Sequence, residues 1–139
     1  MPIHQESLAI HTSGRGLLEI TTSIAACVAR AHVVTGLCTV FLRHTSAGLV
    51  LQENADPSAR LDLEAWLQRL APDGDPLYTH RAEGPDDMAA HLQTVLTSSS
   101  ISIPITSGEL ALGTWQGLFL AEHRTSPQKR SLVIHIAGD

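Results

Sequence analysis

The sequence predicts a single α+β domain in which seven or eight strands interleave with three helices. Apolar residues alternate with polar ones in several short segments, which is typical of half-buried strands. Three longer segments place apolar residues at helical spacing behind helix-start residues. The chain has 139 residues and no linker, repeat or low-complexity tract. We therefore expect one domain over residues 1–139, with a mixed and mainly antiparallel sheet.

The first elements are two strands and a helix. "SLAIHT" (Ser7–Thr12) alternates as a strand does, and "GLLEI" (Gly16–Ile20) follows a Ser-Gly-Arg-Gly turn. Thr21 or Thr22 is then expected to cap a helix. One face of that helix carries Ile24, Cys27, Val28 and Ala31.

Two further strands and the second helix follow. "GLCTVFLRHT" (Gly36–Thr45) is a strong strand whose inward side would carry Cys38, Val40, Leu42 and His44. "GLVLQEN" (Gly48–Asn54) is the next strand. Asp56 is a good N-cap for the second helix, and Pro57 suits its first position. The predicted buried stripe of this helix is Leu63, Trp66, Leu67 and Leu70.

The C-terminal part is predicted to hold the third helix and the last strands. "APDGDP" breaks the chain, and a helix beginning at Pro85 would bury Met88, Leu92 and Val95. "SISIPI" alternates as a strand, which Pro104 places at a sheet edge or a strand end. One or two strands are expected within residues 108–124, and "TSPQKR" is expected to form a turn. "SLVIHIAG" closes the chain as a strand with Leu132, Ile134 and Ile136 on one face.

Composition excludes several classes of function. A net charge of −5 with nine Lys and Arg argues against a nucleic-acid-binding surface. The sequence has no signal-peptide pattern and no apolar run near the roughly 18 residues of a membrane span. Cys27 and Cys38 lie in apolar surroundings without CxxC spacing. They are expected to be buried, reduced thiols of a cytoplasmic protein.

Histidines are more frequent than expected and cluster with acidic residues. The chain has eight, where about three would be usual. In "YTHRAEGPDDMAAHLQ" (Tyr78–Gln93), Asp87 and His91 are four residues apart on a predicted helix, so their side chains can touch. A carboxylate beside an imidazole fixes its tautomer, as behind metal-binding histidines. His80 and Glu83 lie on the preceding loop.

A simpler interpretation of this stretch stays open. Asp86 and Asp87 are ordinary first-turn residues that complement the helix dipole. The spacing between His80 and His91 is also not a standard zinc spacing.

Two other segments could bind an anion. In "RHTSAG", Thr45 and Ser46 offer hydroxyl and amide donors at a turn, although a plain polar hairpin explains them as well. In "EHR", Glu122, His123 and Arg124 end a strand. Arg124 could bind a phosphate through two parallel hydrogen bonds, or it could form a structural ion pair.

Three blocks of the sequence, taken together, resemble the YjbQ-like family. They are "HTSAGLVLQENADP", "HRAEGPDDMAAH" and "IPITSGELALGTWQGLFLAEHR". The resemblance runs from Leu8 to the C-terminus and is most distinctive in "EGPDDM" and "GTWQG". It implies a mixed α+β fold with a barrel-like sheet, assembly as a homotrimer, and a histidine cluster that binds a metal near an anion. It also implies a side activity as a secondary thiamine-phosphate synthase, which joins a pyrimidine diphosphate to a thiazole phosphate.

The resemblance assigns candidate roles by position. His44, His80 and His91 are the expected metal ligands, with zinc favoured and magnesium the alternative. Asp87, Glu83 and His123 are the candidate catalytic residues. The expected contacts to a bound anion are Gln116 and Arg124 by position, together with the turn donors of Thr45 and Ser46.

The residue chemistry ranks three hypotheses of function. A diphosphate leaving group normally needs Mg²⁺ and several cationic donors, and the chain has a single lysine. The first hypothesis is therefore an enzyme that acts on a small phosphorylated or carboxylated metabolite. The second is a protein that binds a metal or an anion without catalysis. The third is a metal-assisted hydrolase with Glu83 or Asp87 as the base.

Overall fold

A computed structural model describes residues 1–139 and contains eight strands and three helices. The strands are β1 (Ile3–Thr12), β2 (Gly16–Glu19), β3 (Gly36–Leu42), β4 (Ala47–Glu53), β5 (Ser100–Thr106), β6 (Glu109–Leu110), β7 (Gln116–Glu122) and β8 (Gln128–Gly138). The helices are α1 (Thr21–Ala31), α2 (Pro57–Leu70) and α3 (Asp87–Leu96). The predicted α+β class and the three helices are confirmed.

The strands form two antiparallel sheets. The larger sheet has the order β1-β8-β3-β5-β6 and curls into a half-barrel, and the smaller has the order β2-β7-β4. All neighbouring strands run antiparallel. The barrel-like form implied by the resemblance is thus present as a curled sheet beside a second, smaller one.

The main core lies between the two sheets and α1. Ile24 and Cys27 of α1 pack with Val40 of β3, Leu120 of β7 and Ile134 of β8 in one buried cluster. The strand residues of this cluster share the inward face of their sheets, because side chains along a strand alternate in direction. Burying apolar surface at about 25 cal/mol per Å² makes this cluster the main stabilising feature of the fold.

The smaller sheet also carries α2 on its outer face. Leu17, Phe119 and Ala121 form a second buried cluster, against which Leu63 of α2 packs. The β2-β7-β4 sheet is therefore covered on both faces, which explains why Leu118 and Phe119 are both fully buried.

The helices differ from the sequence prediction in their buried faces. Of the predicted α2 stripe, only Leu67 is buried, whereas Trp66 and Leu70 are about half exposed. α3 begins at Asp87 and not at Pro85, and it buries Asp87, Ala89, Ala90 and Gln93 while Val95 is exposed. Small residues allow α3 to lie close to β4, so its buried face carries small and polar side chains in place of the predicted apolar stripe.

Helix α1 starts without the predicted side-chain cap. Ile20 precedes the helix, and the Thr21 hydroxyl instead accepts a hydrogen bond from the Leu118 amide at 2.9 Å. Thr21 therefore joins α1 to β7.

The strand ends also shift, because pairing between β1 and β8 extends both strands. β8 begins at Gln128, so the predicted turn over residues 125–130 is shorter. Cys27 and Cys38 are buried free thiols, as predicted. None of the three helices combines the length and the apolar composition that a membrane-spanning helix requires.

Candidate metal centre

His80, Asp87 and His91 bring three metal-capable atoms together. Asp87 Oδ2 lies 2.8 Å from His80 Nε2 and 3.1 Å from His91 Nε2. The ring centroids of the two histidines are 5.6 Å apart. One ligand atom from each of the three residues lies within 4.8 Å of the others. We refer to these three residues as the His–Asp cluster.

Two elements position the cluster. Asp87 and His91 are one turn apart at the start of α3, so their side chains share a face of the helix. His80 comes from the loop between α2 and α3. That loop returns to the helix because Gly74 N donates to Pro85 O at 2.9 Å, and Gly84 adopts a positive φ of 105° before the helix entry.

A backbone contact orients His91. His91 Nδ1 lies 2.8 Å from the carbonyl oxygen of Thr45, in the connection between β3 and β4. A carbonyl can only accept a hydrogen bond, so Nδ1 carries the proton in the neutral ring. His91 Nε2 is then left with a lone pair directed at Asp87, which is the arrangement of a metal-binding imidazole.

Arg124 fixes the carboxylates of α3. Its Nη1 donates to Asp87 Oδ1 at 2.8 Å and its Nε donates to Asp86 Oδ2 at 3.0 Å. Its Nη2 donates to the Glu83 carbonyl oxygen at 3.1 Å. Asp87 is almost fully buried, yet Oδ2 faces only the two histidines. Arg124 thereby leaves one oxygen of Asp87 free for a cation.

Asp86 belongs to the support of the cluster. Its Oδ2 also accepts hydrogen bonds from the Thr125 amide at 2.9 Å and the Thr125 hydroxyl at 3.1 Å. Burial alone would raise the pKa of Asp86, but the bonds from Thr125 and Arg124 prevail and lower it to about 2. The ionised carboxylate of Asp86 therefore links the start of α3 to the residues after β7, and does more than complement the helix dipole.

The cluster is open to solvent on one side. The His80 side chain is 47% exposed, whereas Asp87 is 2% exposed. Beside His80 lies a cleft of about 380 Å³ lined by the loop residues Asp75, Tyr78, Arg81 and Pro85. A small molecule in this cleft would lie next to His80.

The structure does not bring His44 into the cluster. His44 Nε2 accepts a hydrogen bond from the backbone amide of Ser131 at 2.8 Å, so this nitrogen is engaged by β8. Burial, followed by the positive charge of Arg130, lowers the pKa of His44. The third metal-capable atom beside His80 and His91 belongs to Asp87, and not to His44 as the sequence prediction had it.

Contacts within the protein involve three of the residues that were predicted to bind an anion. The Ser46 hydroxyl accepts a hydrogen bond from Arg130 Nη2 at 2.9 Å, and Arg124 is bound to Asp86 and Asp87. Thr45 contributes its carbonyl oxygen to His91. Arg124 and the Thr45 carbonyl oxygen thus hold the His–Asp cluster in place, and the anion contacts of Thr45 and Ser46 stay predictions.

Three further candidates lie at different distances from the cluster. Glu83 is exposed on the loop at its edge. His123 is buried, its Nε2 lies 3.4 Å from the Thr97 hydroxyl, and burial lowers its pKa to about 4. Gln116 lies at the far end of the β4–β7 ladder, since it pairs with Glu53 whereas Glu122 pairs with Ala47. The structure therefore leaves His123 and Gln116 outside the cluster.

Sequence reasoning missed a buried ion pair below the site. Arg130 Nε donates to Glu122 Oε1 at 2.8 Å, and the Thr12 hydroxyl donates to the same oxygen at 2.7 Å. Because residues 125–130 were predicted to form a turn, Arg130 was not recognised as a buried residue of β8. The alternation Arg130, Leu132, Ile134, Ile136 was the available signal, because it places Arg130 on the inward face.

The donors of the cluster fit a divalent transition metal. Two imidazole nitrogens and one carboxylate oxygen suit zinc or iron, and a harder ion such as magnesium prefers oxygen donors. His80 Nε2 and His91 Nε2 both converge on Asp87 Oδ2, so one cation could bind all three atoms.

Comparison with known proteins identifies the family. Residues 6–139 match the family model described as UPF0047 protein YjbQ-like. The UPF0047 protein sll1880 of Synechocystis is 49% identical over 136 residues, covering 98% of this chain and 92% of that protein. The UPF0047 protein YjbQ of Escherichia coli O157:H7 is 36% identical over 98% of this chain and 99% of that protein.

Solved structures share the fold. A Clostridium acetobutylicum protein described as uncharacterized and of the yjbq/upf0047 family superimposes with a TM-score of 0.87 at 33% identity, covering 95% of this chain and 99% of that chain. A hypothetical protein from Aeropyrum pernix gives a TM-score of 0.89 at 26% identity, covering 98% and 99%. The sequence blocks, the fold and these matches agree, and the chain belongs to the YjbQ-like UPF0047 family.

Proposed function

We propose that this protein binds a divalent transition metal through His80, Asp87 and His91, and acts on a small phosphorylated or carboxylated metabolite. The observation that carries the proposal is the convergence of three ligand atoms within 4.8 Å around a buried carboxylate. Isolated acidic residues on a surface would not need the orienting contacts that this cluster has.

The surrounding residues hold the ligands in place. Thr45 O fixes the His91 tautomer, and Arg124 holds one oxygen of Asp87 so that the other faces the histidines. Such outer contacts orient ligands and usually matter nearly as much as the ligands themselves. The roles of Thr45 and Arg124 in this proposal are therefore positioning, not anion binding.

Zinc is the preferred metal in this proposal, because nitrogen donors disfavour magnesium. A bound zinc would supply Lewis-acid polarisation of a phosphoryl or carbonyl oxygen. The half-exposed His80 ring and the adjacent cleft of about 380 Å³ give a small metabolite access to that position.

Glu83 is the better candidate for a general base. Asp87 Oδ1 is held by Arg124 and Oδ2 lies between two histidines, so Asp87 has no oxygen left to take a proton from a substrate. Glu83 is exposed at the edge of the cluster, where its carboxylate can reach solvent. We assign Asp87 to metal binding and Glu83 to proton transfer.

Metal affinity tests the ligand set. Untagged protein would be titrated with Zn²⁺ in competition with a chromogenic chelator, together with the variants His80→Ala, Asp87→Asn and His91→Ala. Each substitution should weaken binding by more than the roughly 10–100-fold typical of losing an outer hydrogen-bond partner.

His44→Ala is the matched control, because His44 is a partly buried histidine outside the cluster. Its zinc affinity should equal that of the unchanged protein. A large loss in His44→Ala, with none in Asp87→Asn, would instead restore the three-histidine set expected from the sequence. Unchanged affinity in all variants would place the metal elsewhere.

Activity is tested on the zinc-loaded protein with a panel of phosphate esters and carboxylate esters. Metal-dependent turnover that falls in His91→Ala and Glu83→Gln supports the proposed reaction class. The thiamine-phosphate side activity is assayed in parallel, by pyrophosphate release from a pyrimidine diphosphate and a thiazole phosphate. Zinc binding without turnover in any assay would favour the non-catalytic metal-binding alternative.

A further inference from the structure

We propose a second site, separate from the His–Asp cluster, at which Arg60 binds the phosphate or carboxylate group of a small anion. It is a cleft of about 520 Å³ between the β1–β2 turn and the first turns of α2. Ser13, Gly14 and Arg15 line one side, and Arg60 and Glu64 line the other. None of the ligands of the cluster borders this cleft.

Arg60 has donors that the protein does not use. Its Nε is buried without any hydrogen-bond partner, the single buried side-chain atom of the chain in that state. No ion pair of the molecule includes Arg60. A buried N–H without an acceptor is unfavourable and usually indicates a missing partner such as a water molecule. The two terminal nitrogens of Arg60 make no ion pair either, and they are the donors that Arg60 can offer to an anion in the cleft.

Stacking holds the guanidinium of Arg60 in place. Its central carbon lies 5.0 Å from the centroid of the Phe119 ring, which is fully buried. This cation–π contact restricts the plane of the guanidinium and leaves its edge for hydrogen bonding. A planar edge with parallel N–H groups matches the two oxygens of a carboxylate or phosphate.

None of the neighbouring carboxylates lies within ion-pair distance of Arg60. Glu64 is one helical turn away, but its Oε1 accepts a hydrogen bond from the Leu17 amide at 2.8 Å. Glu122 is paired with Arg130, and Arg15 forms a two-point ion pair with Asp73. The guanidinium of Arg60 therefore keeps hydrogen-bond donors that an anion in the cleft could use.

The β1–β2 turn supplies further donors on the opposite side of the cleft. The amides of Ser13, Gly14 and Arg15 donate to no backbone carbonyl, and the Ser13 hydroxyl is exposed. Consecutive free amides are a common feature of anion-binding turns. A small cavity of about 10 Å³ beside Arg60 offers a simpler alternative, since one water molecule there could satisfy Nε.

Isothermal titration of metal-free protein with inorganic phosphate, and separately with malonate, tests the proposal. We expect saturable binding of at least one probe, with an affinity at least tenfold lower in Arg60→Met. Methionine keeps the packing over Phe119 and removes every donor. Arg69→Met, in the last turn of the same helix, is the matched control and should bind like the unchanged protein.

His91→Ala separates this site from the metal centre. Binding that survives in His91→Ala and is lost in Arg60→Met supports the Arg60 site, whatever the outcome for zinc. Equal affinity of Arg60→Met and unchanged protein would overturn it, as would loss of binding only in His91→Ala. No saturable binding of either probe at 25 °C would also overturn it and leave a water molecule as the partner of Arg60.

Should Arg60→Met fail to fold, Arg60→Lys provides the second variant. Lysine keeps the charge but not the planar fork. Weaker binding of both probes in a folded Arg60→Lys protein supports fork recognition, and unchanged binding contradicts it.

Discussion

At the scale of single residues, Asp87 shows how its surroundings decide what a carboxylate does. Its position one turn before His91 suggested a partner that orients an imidazole. In the structure the same oxygen lies within hydrogen-bond distance of both His80 and His91, while Arg124 holds the other oxygen. A carboxylate so placed can itself bind a cation, and we therefore propose it as a ligand.

His123 should make stability depend on pH. Burial lowers its pKa from 6.5 to about 4, so the unfolded chain takes up a proton at a higher pH than the folded protein does. The contribution of His123 to stability is therefore fully present above pH 6.5 and is lost progressively as the pH falls from 6.5 towards 4. Between pH 7.5 and 5 we expect a loss of ~2 kcal/mol in the free energy of unfolding from this residue.

Urea denaturation at several pH values measures this effect. His123→Gln should flatten the pH dependence in that window, even where it lowers stability overall. His44, whose pKa is also lowered by burial, contributes in the same direction, so His44→Gln is measured beside it. A curve for His123→Gln parallel to that of the unchanged protein would contradict the prediction.

At the scale of secondary-structure elements, the entry to α3 is held by side chains rather than by its apolar face. Asp86 joins this entry to Arg124 and Thr125 at the end of β7, and Gln93 Nε2 donates to Ala71 O at the end of α2 at 3.0 Å. The turn that carries Asp87 is thereby joined to β7 and α2. This arrangement explains why α3 turns polar residues inward.

Asp86→Asn should destabilise the protein by about 1–3 kcal/mol, because a buried carboxylate that accepts three hydrogen bonds is replaced by a neutral amide. A surface first-turn aspartate would cost only about 0.3–1 kcal/mol. Chemical denaturation at pH 7 distinguishes the two.

Asp62→Asn, an exposed position on α2, is the control and should leave stability nearly unchanged. If Asp86→Asn and Asp62→Asn cost equally little, Asp86 is no more than a helix-start charge. Asp86 contacts Arg124, which in turn holds Asp87. Asp86→Asn is therefore unsuitable as a neutral control for Asp87→Asn in metal titrations.

At the scale of the whole molecule, we predict a homotrimer, as the family resemblance implies. The outer face of the larger sheet exposes Leu37 and Phe41 by nearly half, which provides apolar surface for contact between copies. Light scattering at micromolar concentration should give three times the 14.9 kDa mass of the chain. A monomer mass, unchanged at higher protein concentration, would refute it.

The sequence by itself determined the class of fold and most of its elements. Strand alternation and helix-start residues are local signals. The start of α2 at Pro57 could therefore be predicted, and so could the inward direction of Leu132, Ile134 and Ile136. Two of the three clustered residues on α3 and its loop, Asp87 and His91, were also predictable as a touching pair, because a separation of four residues fixes their positions on a helix.

Only the tertiary structure decided which distant groups meet. The contacts of Arg124 with Asp86 and Asp87 and of His44 with Ser131 join segments far apart in the chain, and no local spacing encodes them. The inward face of α3 was likewise decided by packing against β4, which favoured small residues over larger apolar ones. Local periodicity specifies an element, whereas long-range packing selects its partner, and the candidate metal site depends on that selection.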